Sequence, residues 1–182
     1  QSIANCLLAI IDKGDEVLVP SPYWVSYPEL IKLAEGVPVY IKTNIDTDFK
    51  VTPEQVEKAI TNKTKAFIFS SPCNPSGTVY SKEELCAIAD VLAKYPNIIV
   101  ISDEIYEHIN FVGKHVSIGE CGSLKDRVVV MNGVSKSFAM PGWRIGYMAA
   151  PMVIVNACDK IQGQITSGAS SIAQRASLAA IT

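Results

Sequence analysis

The stretch Ser81-Lys-Glu-Glu-Leu-Cys-Ala-Ile-Ala-Asp-Val-Leu-Ala-Lys-Tyr-Pro-Asn-Ile-Ile-Val-Ile-Ser-Asp103 joins an amphipathic helix to an apolar strand, and the fold follows from it. Ser81 is placed to accept from the backbone at Glu84 while Glu84 reaches back to Ser81, the capping box that starts a helix. Leu85, Ile88, Ala89 and Leu92 recur at helical spacing and predict one apolar face turned to a core. From Ile98 the pattern changes to a short unbroken apolar run, as in a strand covered on both faces, which leads into the acid Asp103.

The same alternation extends in both directions. Short, β-rich, mostly apolar runs at 16–19, 37–41, 66–70, 98–102, 128–131 and 145–149 predict buried strands, and 22–34, 53–60 and 81–94 predict helices between them. Thr52-Pro53 opens the second of these helices, with Thr as cap and Pro in the first turn. Strands separated by helices require right-handed crossovers, so the expected class is α/β, a mainly parallel sheet with helices on both faces. Repeats, low-complexity tracts and linkers are absent from the sequence. The residues from Ser2 to Ile11 and from Ser170 to Thr182 read as helix interiors, so both ends are expected to be cuts.

A chain of 182 residues with 48% hydrophobic and 19% charged residues has the size and composition of one globular domain. A net charge of -2 leaves no basic footprint for nucleic acid or an anionic membrane. The apolar runs from Cys6 and from Ile98 fall far short of the roughly 20 residues that a membrane span needs, and no export signal is legible. Five scattered cysteines (Cys6, Cys73, Cys86, Cys121, Cys158) without a Cys-x-x-Cys pair read as reduced, partly buried thiols in a cytoplasmic protein.

In a sheet of this class ligands bind beyond the carboxyl ends of the strands. Polar and aromatic residues gather there: Trp24 after the first strand, Asn74 after the third, Asp103 and Tyr106 after the fourth, Ser135 and Lys136 after the fifth, with Arg144 entering the sixth. Each has an ordinary alternative. Asp103 can cap a helix, Lys136 can be a solvated charge, Arg144 a surface ion pair, Trp24 and Tyr106 packing, and Asn74 a turn residue. As a set they supply a lysine for covalent attachment, an arginine fork for a phosphate, a carboxylate for a protonated ring nitrogen and an indole face for a flat ring. His108 and His115 lack partner spacing for a metal and read as ordinary.

Four ordered motifs carry a resemblance that covers essentially the whole chain: Ser21-Pro-Tyr-Trp-Val-Ser-Tyr-Pro28, Ser71-Pro-Cys-Asn-Pro-Ser-Gly77, Ser102-Asp-Glu-Ile-Tyr-Glu-His108 and Asn132-Gly-Val-Ser-Lys-Ser-Phe-Ala-Met-Pro-Gly-Trp-Arg-Ile-Gly-Tyr147. The sequence resembles the class I, or fold-type I, pyridoxal-phosphate-dependent aminotransferases, and among them the bacterial-type aspartate aminotransferases. The resemblance implies that pyridoxal 5'-phosphate is the cofactor and that Lys136 binds it covalently, then moves the substrate proton as a base. It implies that Asp103 pairs with the ring nitrogen, that Asn74 and Tyr106 hydrogen-bond the ring oxygen, that Trp24 stacks on the ring, and that Arg144 and Ser135 hold the phosphate.

Two departures stand inside the motifs: Gly133 where relatives often have Ser or Thr, and Pro141 where they often have Thr. By the same resemblance, a phosphate-cradling turn would fall before Gln1, and a small domain with an arginine for the substrate carboxylate would follow Thr182. Residues 1–182 are therefore expected to be the large cofactor-binding domain, inactive alone and part of a homodimer when whole. With a strand lacking beside 145–149, they are also expected to associate readily. The expected substrates are aspartate or a similar amino acid and a 2-oxo acid such as 2-oxoglutarate, and Tyr23-Trp24 with the following Val-Ser-Tyr-Pro tilts the choice to aspartate. Aromatic or alanine transamination, β-elimination from cysteine conjugates and a regulatory ligand-binding role remain open alternatives.

Overall fold

The computed structural model describes residues 1–182, the side chains of Ser123 and Lys125 excepted. The elements run α1 (Ser2–Ile10), β1 (Glu16–Ser21), α2 (Ser26–Leu33), β2 (Val37–Lys42), α3 (Pro53–Ala59), β3 (Thr64–Ser70), α4 (Lys82–Ala93), β4 (Ile99–Asp103), β5 (Val128–Gly133), β6 (Gly146–Ala149), α5 (Met152–Ile165) and α6 (Ser171–Ile181). One six-stranded sheet forms in the order β2-β1-β3-β4-β5-β6. Every neighbouring pair is parallel except β5 and β6, which run antiparallel.

Strand periodicity divides the core in two, because successive side chains point to opposite faces. Leu18, Phe67 and Val100 pack on one face against Val56 of α3 and Leu85, Ile88 and Leu92 of α4. Val17, Val19, Ile68 and Ile101 pack on the other against Leu7 of α1, Tyr27 and Ile31 of α2 and Ile154 of α5. Burying each such aliphatic side chain is worth roughly 2 kcal/mol. Both expected helix starts hold: Thr52 with Gln55 and Ser81 with Glu84 each form a complete capping box.

Three expectations are corrected. The helix expected over 22–34 begins only at Ser26, so residues 22–25 leave β1 as a loop that carries Trp24 out over the sheet edge. The outer strands β2 and β6 are largely exposed rather than covered on both faces. Cys86 and Cys121, expected as reduced thiols, are paired in the structure as a disulfide, while Cys6, Cys73 and Cys158 are free. Packing of α4 against the turn before β5 brings their Cα atoms to 5.0 Å across a separation of 35 residues, a proximity that spacing along the chain does not reveal.

At the β5–β6 pair the backbones approach closely enough that a side chain at Gly133 would force a shift. Gly133 lies opposite Gly146, and a Cβ at Gly133 would stand 2.8 Å from the Ile145 carbonyl oxygen and 3.1 Å from the Gly146 Cα. Gly133 thus lets β5 and β6 approach here more closely than a residue with a Cβ would. Gly133→Ala must push the two strands apart, and overpacking of this kind costs about 1–3 kcal/mol. The expected result is a lower denaturation midpoint with an unchanged m-value, read by urea unfolding.

Candidate active site

The strand order brings every sequence-predicted site residue to one edge of the sheet. β1, β3, β4 and β5 end there at Ser21, Ser70, Asp103 and Gly133. The antiparallel β6 begins there, so Arg144 reaches the same edge from the opposite chain direction.

Asp103 is the deepest member, 7% exposed at the end of β4. Its Oδ2 accepts a 2.6 Å hydrogen bond from the Tyr27 hydroxyl, and its Oδ1 accepts from the Ile105 amide at 3.3 Å. Burial pushes the Asp103 carboxyl above its ordinary range, and these two donors offset that only in part. Tyr27 is itself buried, and burial with the neighbouring Asp103 raises its hydroxyl well above the usual tyrosine value, so it stays a donor. Spacing along the chain does not signal this role of Tyr27, although it sits inside Ser21-Pro-Tyr-Trp-Val-Ser-Tyr-Pro28; an apolar-looking helix position in α2 hides a polar tip.

Trp24 stands edge-on to Tyr27, ring centroids 5.5 Å apart, with 37% of its surface exposed. The Lys136 ammonium lies 5.9 Å from the centre of the Tyr106 ring, at cation–π distance. Lys136 is exposed and makes no ion pair among the described residues. Asn74 and Ser135 share the edge through the ends of β3 and β5, but the structure gives their side chains no bond to the others. Arg144 is exposed and donates to the Pro141 carbonyl at 2.7 Å, with a backbone φ of 56°. That left-handed geometry is uncommon outside glycine.

His115, expected to be ordinary, has a buried carboxylate partner in Glu104 at 2.9 Å. Among the described residues no helix is long and apolar enough to cross a membrane.

A mainly parallel sheet with a buried acid, an exposed lysine and an arginine at its carboxyl edge is an α/β fold of the kind in which ligands bind at that edge. A family model for aminotransferase class I and II matches residues 1–182, and the chain belongs to that family. It is 54% identical to an aspartate/prephenate aminotransferase of Nitrosomonas europaea, covering 100% of the chain and 46% of the relative. It is 49% identical to a bifunctional aspartate aminotransferase and glutamate/aspartate-prephenate aminotransferase of Petunia hybrida, covering 100% of the chain and 38% of the relative. The solved aspartate aminotransferase of Thermus thermophilus with maleate superposes with a TM-score of 0.95 at 44% identity, over 100% of the chain and 47% of that structure. The chain therefore spans about half the length, or less, of the proteins it resembles.

Proposed function

We propose that residues 1–182 are the large, cofactor-binding domain of a pyridoxal-phosphate-dependent aminotransferase that moves an amino group between aspartate and a 2-oxo acid. The observation that carries this reading is Asp103, a buried carboxylate whose burial is only partly offset by its two donors. A cation beside it would favour the ionised form, and the protonated nitrogen of pyridoxal phosphate is such a cation. The rest of the edge fits the same group: Trp24 offers a ring face, Asn74 and Tyr106 offer donors for the ring oxygen, Ser135 and Arg144 offer donors for the phosphate, and Lys136 offers the amine.

When bound, pyridoxal phosphate supplies a conjugated ring that takes up the electron pair left as the substrate α-proton departs. The chain supplies orientation and charge. Asp103, held by Tyr27, keeps the proton on the ring nitrogen. Lys136 would hold the cofactor through Nζ and, once freed by the incoming substrate amine, would move the proton from the substrate α-carbon to the cofactor carbon. Trp24 shields the reacting face from water, and Arg144 neutralises the phosphate. Aspartate as donor is supported by the names of the relatives and by the dicarboxylate maleate in the Thermus structure; 2-oxoglutarate and prephenate are the acceptors to assay. The whole protein would work as a homodimer on small molecules, and the Cys86–Cys121 pairing removes the reduced-thiol ground for placing it in the cytoplasm.

The test is to add pyridoxal phosphate to the full-length protein, reduce with borohydride and map the labelled peptides. A single adduct on Lys136 is expected. Label spread over surface lysines would overturn the reading.

A further inference from the structure

Asp103 and Glu104 are adjacent acids that a strand end turns to opposite faces of the sheet. Asp103 shares its face with Ile101 and meets Tyr27. Glu104 follows Val100 and Ser102 to the side packed by α4, and it is 3% exposed. The proposed chemistry gives Glu104 no task, yet burying a carboxylate is costly unless it is well bonded.

Its bonds are unusually complete. Oε1 accepts from the Ser102 hydroxyl at 2.9 Å and from the Ser117 hydroxyl at 2.6 Å, and Oε2 meets His115 Nε2 at 2.9 Å. Ser117 in turn accepts from the Gly119 amide at the head of the 3-10 turn Ile118–Glu120, and the Glu104 amide donates to the Met131 carbonyl of β5. One carboxylate thus ties the end of β4 to the far end of the loop that leaves it. Between those two ties lies Tyr106, and immediately before them Asp103.

We propose that Glu104, with His115 and Ser117, is a positioning residue for the reaction: from the back of the sheet it fixes the segment whose front presents Asp103 and Tyr106 to the cofactor. The inference rests on the cofactor-binding reading above. Glu104, Glu107 and His115 also hold potential metal-ligand atoms within 4.8 Å of one another. A metal is the weaker explanation, because both Glu104 oxygens already accept hydrogen bonds.

The experiment uses the full-length holoenzyme with Glu104→Gln, which keeps the shape but places an amide donor against hydroxyl and imidazole donors, and with the milder Ser117→Ala. Five quantities are read: kcat and KM, the dissociation constant for pyridoxal phosphate, the pH midpoint of the bound cofactor's visible band, and the melting temperature. By analogy with lost supporting bonds around other sites, kcat of Glu104→Gln is expected to fall roughly 10- to 100-fold, with KM for the amino acid little changed. The band midpoint is expected to shift, and Ser117→Ala to move both quantities in the same direction by less. Variants that melt lower but keep kcat, cofactor affinity and the band midpoint would overturn the inference and leave Glu104 a structural residue only. Zinc bound stoichiometrically by the parent and lost in Glu104→Gln would overturn it too. A parent protein that shows no cofactor band would instead overturn the functional reading on which the inference rests.

Discussion

Lys136→Ala is expected to lower kcat of the full-length enzyme by about 10,000-fold or more, since general base catalysis alone is worth up to roughly that factor and the covalent anchor is lost with it. The effect should fall on kcat and not on stability. Lys136 is exposed and, among the described residues, has no ion pair, only the face of Tyr106 at 5.9 Å. Removing such a side chain changes stability by within about 0.5 kcal/mol, so the variant should unfold at nearly the same denaturant concentration as its parent. Lys136→Arg separates charge from chemistry: it keeps the cation near Tyr106 and removes the amine that bonds the cofactor, and it should be as inactive as the alanine variant. Steady-state kinetics on both variants would check this, and turnover within tenfold of the parent would remove Lys136 from the reaction.

The second large effect has opposite signs for activity and stability. Asp103→Asn leaves an amide that can still accept from Tyr27 but cannot hold a proton on the ring nitrogen. Losing a preorganised charge at the place where electrons accumulate costs roughly 100- to 1,000-fold in kcat. Without cofactor the same change should help the fold. The Asp103 carboxyl is raised by burial, so the native state holds that proton more tightly than the unfolded chain does. The carboxyl therefore penalises the native state increasingly as pH rises from the ordinary carboxylate range through the raised value. The asparagine variant has no such penalty. In cofactor-free protein its melting temperature should match the parent's in acid and exceed it at neutral pH, and the gap should close when the cofactor is added to the parent. Tyr27→Phe tests the anchor: removing the 2.6 Å hydroxyl leaves Asp103 buried with only the Ile105 amide, so both cofactor affinity and kcat should drop. A double-mutant cycle between the two positions should show strong coupling. An asparagine variant that melts below the parent at every pH would contradict this account of Asp103.

Much of this was already present in local chemistry. The capping boxes at Thr52 and Ser81 depend on residues three apart, so they are legible wherever they occur. The same holds for the strands, whose apolar runs are short, continuous and bounded by turn residues, and for the site, because parallel strands must deliver their following loops to one edge. Asp103, Lys136 and Trp24 could be named from that rule and from four motifs before any distance was known.

What the sequence left undetermined depends on pairs distant in the chain. Tyr27 meets Asp103 across 76 residues, Cys86 meets Cys121 across 35, and Glu104 meets His115 and Ser117 around a loop with no periodic signal. A tyrosine in an amphipathic helix reads as core whether or not its hydroxyl has a buried acid to bind, and a histidine reads as ordinary until its neighbour is found. The sequence by itself determined the α/β order, the carboxyl edge proposed for the ligand and the residue types gathered there. Only the tertiary structure shows what the two adjacent acids meet, Asp103 the Tyr27 hydroxyl and Glu104 His115 with Ser117, because the end of a strand sends successive side chains to opposite faces and only packing says what each face holds.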